Sequence, residues 1–384
     1  MTPKKDLAVS QAPLLRTLEQ RLQTCTNARQ WAFARIQQGL YLARTSCIDE
    51  AVPIPAEVRA QFVGREDAEV YCWLWMLEAV LEYFRTGTTN GFDRLQRALG
   101  VATALNIGPL KEYLAAWAAH FRAHDSKFEE MVEWLKSSRL HEAALPEAAC
   151  RACMTVANAW QTVGENRAAT AWYARARDFA RPLGDRASIM ASIANRAAIR
   201  LDEAWVGSFF DQAHGGEELR DIEAEMLSAL AYERVTGSDA FVLQTTVTRV
   251  RFAAMKNDFA AALELASAGN AVTTHESQSM VRMKSILTTW LKYKALGELP
   301  SEKDFHAAAE QEIHKLDLDD AAVSWVLMSQ LALAMKDKPR ARKYGANAAT
   351  AYGALGQSRA RLRECLERAG GAIAQVESLP QAAS

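Results

Sequence analysis

Apolar positions along the chain recur at helical rather than strand spacing, and the clearest stretch runs from residue 148 to 182. Val156 and Ala157 stand four and three residues before Trp160, on one helix face. After Gly164-Glu165-Asn166, Ala169, Tyr173 and Ala176 repeat that spacing. The pattern predicts two amphipathic helices folded back across a tight turn, with Gly164 supplying permissive backbone. One such pair cannot bury its apolar face alone, so neighbours must stack on both sides.

The rest of the chain supplies them. Turns are expected at Gly87, Asp125, Gly164, Glu203, Asn257, Gly297 and Asp337, at intervals of 38, 39, 39, 54, 40 and 40 residues. The long interval is assigned to an insertion from Trp205 to Glu217, holding the loop DQAHGGEE. Four residues before each turn stand Tyr83, Phe121, Trp160, Ile199, Ala253, Tyr293 and Leu333, expected to be one repeated core position. Pro109 and Pro146 fall near helix starts, Asp185 is an expected N-cap, and Pro339 follows the last turn.

Before the array, a polar tail of about a dozen residues precedes Pro13 and a helical pattern from Leu14 to Ala43, with a break near Thr24 to Asn27. The AVPIPAE segment is the expected linker, which makes 1–60 a tail and helical N-terminal cap. The array is placed at 61–356. A basic final helix from Ser358 to about Val376, followed by a disordered ESLPQAAS tail, makes 357–384 a C-terminal cap.

The order small residue, aromatic, glycine, alanine, aromatic, alanine, proline, carried by Ala157, Trp160, Gly164, Ala169, Tyr173, Ala176 and Pro182, resembles a tetratricopeptide (TPR) repeat. The period of about 40 is longer than the usual TPR period of about 34. In that respect it is similar to the helical repeats of bacterial LuxR-type regulators, although the chain lacks their ATP-binding loop and helix-turn-helix. The resemblance implies an all-α fold, a right-handed α-solenoid of about seven TPR-like helix pairs. It also implies that the first helix of each pair lines a concave groove. Carried over by the turn register, the groove positions include Arg122, Arg151, Asn158, Gln161, Arg200, Gln244, Arg251, Lys284 and Lys294. Six of these nine are cationic, which suits an acidic peptide or a carboxylate terminus.

Composition narrows the function further. About half of the 384 residues are hydrophobic, and glycine and proline are scarce, so a substantial helical core is available. A net charge of −1 provides no global field for nucleic acid or an anionic membrane. The basic runs 336–343 and 359–368 lack the interleaved aromatics that stack bases, so they are expected to be solvated helix faces. Six cysteines without a disulfide framework, and no apolar leader, point to a reducing cytoplasm. The most apolar segment, Val70 to Phe84, is too short to span a bilayer and carries Glu78 and Glu82, so it is expected to be a buried helix.

The candidates for chemistry are thin. Cys150 and Cys153 have the spacing of half a zinc site with no second half, so Cys153 is expected to pack in the core. His120 and His124 lie one turn apart without the glutamate of a zincin. His306, Glu310 and His314 share one face, expected to be solvated. No phosphate loop, nucleophile elbow or dinucleotide fingerprint occurs, so no cofactor and no catalysis are expected. Most of the ten tryptophans sit at core positions, while Trp205, beside the expected insertion, is weighed between core packing and a partner anchor. The expectation is a cytoplasmic scaffold or adaptor that binds a protein or peptide segment in the groove. The alternative is a regulatory sensor for a peptide or small ligand. Self-association through terminal helices is left open.

Overall fold

The computed structural model describes residues 12–45, 47–140, 143–210, 216–236, 242–268, 278–370 and 373. Among them every regular element is a helix and no strand occurs. Four helices open the chain: α1 (Pro13–Thr24), α2 (Ala28–Arg44), α3 (Ile48–Ala51) and α4 (Ile54–Gln61). The break between α1 and α2 falls where expected, because Asn27 accepts a hydrogen bond from Gln30 N and starts a new helix. The AVPIPAE segment is itself helical on both sides of Val52-Pro53, since a proline is tolerated in a first turn.

Seven pairs follow: α5 (Ala68–Thr86) with α6 (Phe92–Ala104), α7 (Gly108–His124) with α8 (Phe128–Ser137), and α9 (Pro146–Thr162) with α10 (Asn166–Leu183). Then come α11 (Arg186–Phe209) with α12 (Gly216–Thr236), α13 (Val242–Met255) with α14 (Phe259–Ala268), α15 (Gln278–Leu296) with α16 (Glu302–Ile313), and α17 (Leu318–Ala334) with α18 (Lys338–Ala369). Partners in α5–α6, α7–α8, α9–α10 and α13–α14 pack side by side, first helices stack on first helices, α9 on α7 and α17 on α15, and α5 stacks on α2 of the opening helices. This is TPR-like packing, and the fold is all-α.

The turns show why glycine is dispensable in several repeats. Gly87, Gly164 and Gly297 adopt left-handed φ of 69°, 81° and 73°. Elsewhere the left-handed residue is Ser126, Asn257 or Lys336, with φ between 56° and 64°. For such non-glycine residues the conformation costs roughly 1–2 kcal/mol. The adjoining Asp258 and Asp337 offset it by capping the next helix, accepting from Ala261 N and Arg340 N.

Three expectations need correction. No turn occurs at Glu203, which lies inside α11. The helix begins after the α10–α11 turn at Gly184 (φ 66°), where Asp185 caps α11 by accepting from Ser188 N, and it continues past Glu203 to Phe209. The long interval therefore reflects helices of 24 and 21 residues rather than an insertion. Most of the DQAHGGEE loop lies outside the described residues, while Trp205 is a buried helical residue, 3 % exposed. Second, the position four before each turn is not uniformly core. Phe121 and Trp160 are buried, but Tyr83, Ile199, Ala253 and Tyr293 are half-buried and Leu333 is 57 % exposed, because Leu331 and Ala332 take the inward places. Third, the basic run from Ser358 begins no new helix: α18 runs unbroken from Lys338 to Ala369 and ends at Gly370. The first 11 residues and the ESLPQAAS tail lie outside the described residues.

The chain divides into two compact units. One comprises the described residues of Met1–Arg196, Ala231–Phe241 and Arg361–Ser384, the other Ala197–Leu230 and Val242–Ala360. The first has two cores. One is built on α1–α7 around Leu77 and Trp117, the other on α7–α10 around Trp172 and Tyr173. Leu362, Cys365, Leu366 and Ile373 join the second, where Trp160 Nε1 donates to Ile373 O at 3.1 Å. In the other unit, Trp205, Trp290, Trp325, Met328 and Tyr344 anchor the largest core. An enclosed aromatic buries about 150–250 Å². At about 25 cal/mol/Å² that is roughly 4–6 kcal/mol of driving force as an upper bound. Val70 to Phe84 lies within the buried helix α5 as expected, and no described helix is long and apolar enough to cross a membrane.

Candidate functional site

The groove positions expected from the register fall into three groups once their partners are visible. Arg122, Arg200 and Arg251 are committed to the protein's own carboxylates. Arg122 pairs with Asp125 (2.8 Å) and Glu130 (3.0 Å), and its guanidinium lies 3.2 Å from the Phe92 ring centroid, so it staples the end of α7 to α6 and α8. Arg200 of α11 donates to Glu225 of α12 at 2.7 Å. Arg251 of α13 is 6 % exposed and joins Asp202 of α11 to Asp320 of α17. Burial raises the Asp202 and Asp320 pKa values further than Arg251 lowers them, and neighbouring Asp319 adds to the rise. Asp320 is pushed up to about 7.

The second group holds the amides Asn158 and Gln161, which tether segments through neutral bonds, together with Gln244 and the two lysines. Asn158 accepts from the Tyr173 hydroxyl at 2.7 Å, tying α9 to α10. Gln161 Nε2 donates to Arg196 O at 2.6 Å, while its buried Oε1 has no hydrogen-bond partner among the described residues. Gln244 and Lys284 are half-buried. Lys294 is exposed, its ammonium 4.9 Å from the Phe259 ring and 5.7 Å from Trp290.

Arg151 stands apart. It has no carboxylate partner among the described residues; instead its guanidinium lies over Trp117, 4.0 Å from the ring centroid. Burial lowers its pKa, and the positive charge of Arg44 lowers it further. A half-buried, uncompensated guanidinium over an indole has the chemistry to take an anion. Around it lies an aromatic-imidazole cluster: Tyr83, Trp117 and His120 meet edge to face, with centroids 5.2 Å (Tyr83–His120) and 5.7 Å (Trp117–His120) apart. His124 meets Tyr83 in the same way at 5.5 Å. Burial, then Arg151 and His124, hold the His120 pKa well below its ordinary 6.5, so its ring is neutral at pH 7.

The far wall is an ion pair that sequence reading missed. Arg44, at the end of α2, donates to Asp185 (2.7 Å) and Ser188 (2.7 Å) at the start of α11, and these side chains are 9 % and 3 % exposed for the charged pair. Burial alone would raise the Asp185 carboxyl, but Arg44 and the Ser188 bonds outweigh it and leave the pKa below the ordinary 3.8. Only the capping role of Asp185 was legible; its partner lies 141 residues earlier.

Other candidates resolve into packing. Cys150 and Cys153 are buried free thiols, 3 % and 0 % exposed, and burial raises both pKa values. His306 corrects an expectation: it is buried at 3 % exposure beside Tyr344, whose hydroxyl lies 3.2 Å from His306 Nδ1 and donates to Glu310 at 2.7 Å. Only His314 of that trio is exposed. The basic runs are largely paired within their own units, Lys343 with Glu310, Arg340 with Asp337, Arg359 with Glu203, Arg361 with Glu129 and Arg363 with Glu165.

No protein-family model matches the chain, and no curated protein matches it in sequence. Solved structures do match. One is a crystal structure of a Rap protein complexed with Competence and Sporulation Factor, at a TM-score of 0.57 and 12% identity over 94% of this chain and 95% of that one. At that identity the likeness speaks for the fold, a succession of TPR-like helix pairs.

Proposed function

We propose that the chain is a protein-recognition module, a scaffold or adaptor that holds a protein or peptide segment against the first helices of its repeats, with no catalytic role. The observation that carries this reading is Arg151: an unmatched guanidinium on Trp117, where the other arginines of the register are neutralised internally. A side-chain or terminal carboxylate would complete it with charge-assisted hydrogen bonds. The similar fold of a Rap protein, solved with a factor bound, supports the reading. A charge-diverse library of short peptides, selected on the full chain, tests it. Enriched peptides should carry Asp, Glu or a free C-terminus, and Arg151→Glu should weaken them at least tenfold. Selection without acidic enrichment, or affinities untouched by Arg151→Glu, would refute it.

A second reading, a regulatory sensor whose ligand tightens the helix packing, is the one that a likeness to LuxR-type arrays would imply. It is favoured by Arg251, which makes the packing of α11, α13 and α17 depend on charge state. Small-angle scattering on the purified chain separates the two, since a sensor becomes more compact with its ligand and an adaptor does not.

A further inference from the structure

Outside the groove, the first unit carries a cavity of about 500 Å³ walled by α5, α6 and the segment spanning α3 and α4. That volume lies within the range of about 300–1,000 Å³ typical of small-molecule sites. Trp75, Glu78, Glu82 and Arg85 line it from one face of α5, Arg94 and Arg97 from successive turns of α6, and Arg59 from α4. The charges are unevenly matched. Arg59 pairs with Glu78 and Arg94 with Glu82. Arg85 and Arg97 have no carboxylate partner among the described residues, so the wall keeps two positive charges beyond its own neutralisation. The Arg97 guanidinium lies over the ring of half-buried Trp75, 6.0 Å from its centroid, which brings a cation to a flat aromatic surface.

From this juxtaposition we infer that the cavity binds a small ligand joining a phosphate-type dianion to a flat ring, with Arg85 and Arg97 on the anion and Trp75 on the ring. Guanidinium forks match phosphate oxygens bidentately. An indole face stacks a heteroaromatic ring. Glu78 and Glu82 hold their arginines in place, and as wall carboxylates they oppose an extended polyanion. A nucleoside diphosphate carries such a dianion in its terminal phosphate and a flat ring at its other end. This site is independent of the groove reading.

The test is isothermal titration calorimetry on the full chain with ADP, GDP, CDP and UDP, alongside adenosine, inorganic pyrophosphate and a hexaglutamate peptide. At least one nucleoside diphosphate should bind one-to-one, tenfold or more tighter than adenosine, pyrophosphate and the peptide. Arg85→Gln and Arg97→Gln should each weaken it at least fivefold, and Trp75→Leu should remove the advantage over pyrophosphate. Arg151→Glu should leave it unchanged, which keeps this result separate from the groove. Because Arg85 and Arg97 are exposed, unchanged thermal midpoints are expected for both variants. No binding below 1 mM by any of the four, equal binding of pyrophosphate or hexaglutamate, or binding that survives the Arg85→Gln/Arg97→Gln double substitution would overturn the inference.

Discussion

Asp185→Ala probes the joint between the opening helices and α11. The carboxylate is 3 % exposed and does two jobs: it caps α11 through Ser188 N at 3.1 Å and pairs with Arg44 at 2.7 Å. Losing a cap costs about 1 kcal/mol. Breaking a buried pair by removing one partner costs about 3–5 kcal/mol, because Arg44 is left charged and enclosed. The expected loss is therefore about 4–6 kcal/mol. For a domain of this size it corresponds to a fall of roughly 8–24 °C in thermal midpoint, at about 2–4 °C per kcal/mol. Urea unfolding of Asp185→Ala, Arg44→Met and the double variant forms a double-mutant cycle. The double variant should be no worse than Asp185→Ala, giving a coupling of at least about 2 kcal/mol. The pH dependence has a definite sign. The folded pKa of Asp185 is depressed, so its contribution is complete above the ordinary 3.8 and is lost as pH falls through the lower folded value. A cost below 1 kcal/mol, or additive single substitutions, would refute this account of the joint.

His120 is held neutral in the folded state, so the unfolded chain takes up a proton first; stability should decline as pH falls below about 6.5, and His120→Phe should flatten that decline in urea midpoints taken from pH 7.5 to 5. Asp320 has the opposite sign: its raised pKa makes the folded state hold a proton that the unfolded chain releases, so stability falls between pH 3.8 and about 7, and Asp320→Asn should abolish that fall. Gly184→Ala places a methyl 2.7 Å from Pro13 Cβ on a backbone at φ +66°, and Gly91→Ala places one 2.7 Å from Ala79 Cα, where α5 and the start of α6 approach closely. Each should cost at least about 1 kcal/mol by urea unfolding, and a neutral result at Gly184 would mean that α1 does not pack against the α10–α11 turn.

The repeat architecture was legible because its signals are local. Gly87, Gly164 and Gly297 mark left-handed turns, and Pro109, Pro146 and Asp185 mark helix starts within the first residues of each element. Where no such marker exists the reading failed. The stretch from Arg186 to Phe209 has no proline and its one glycine is Gly207, so nothing local distinguishes a turn at Glu203 from a helix that simply continues. The solvated face assigned to His306 failed for a related reason. The buried hydroxyl of Tyr344 that receives it lies 38 residues away, and an i, i+4, i+8 pattern of His and Glu carries no record of it.

Charge was the least legible property, and that bears on function. Register alone shows which side chains share a face, but an arginine's availability depends on carboxylates supplied by other helices. Arg122 meets Glu130 across a turn, Arg200 meets Glu225 from the partner helix, and Arg251 draws on Asp202 and Asp320, 49 residues before it and 69 after. Within the first unit, where the register places Arg122 and Arg151, the pairing of Arg122 leaves one uncompensated guanidinium, Arg151, over Trp117. A broad positive wall would attract acidic chains indiscriminately, with strong screening by salt. On the proposed reading, a single cation beside neutral His120 and the rings of Tyr83 and Trp117 would favour instead one carboxylate at one place. Internal neutralisation, on that same reading, serves selectivity as well as stability: the pairing of Arg122 with Asp125 and Glu130 leaves Arg151 without a competing register arginine in the first unit.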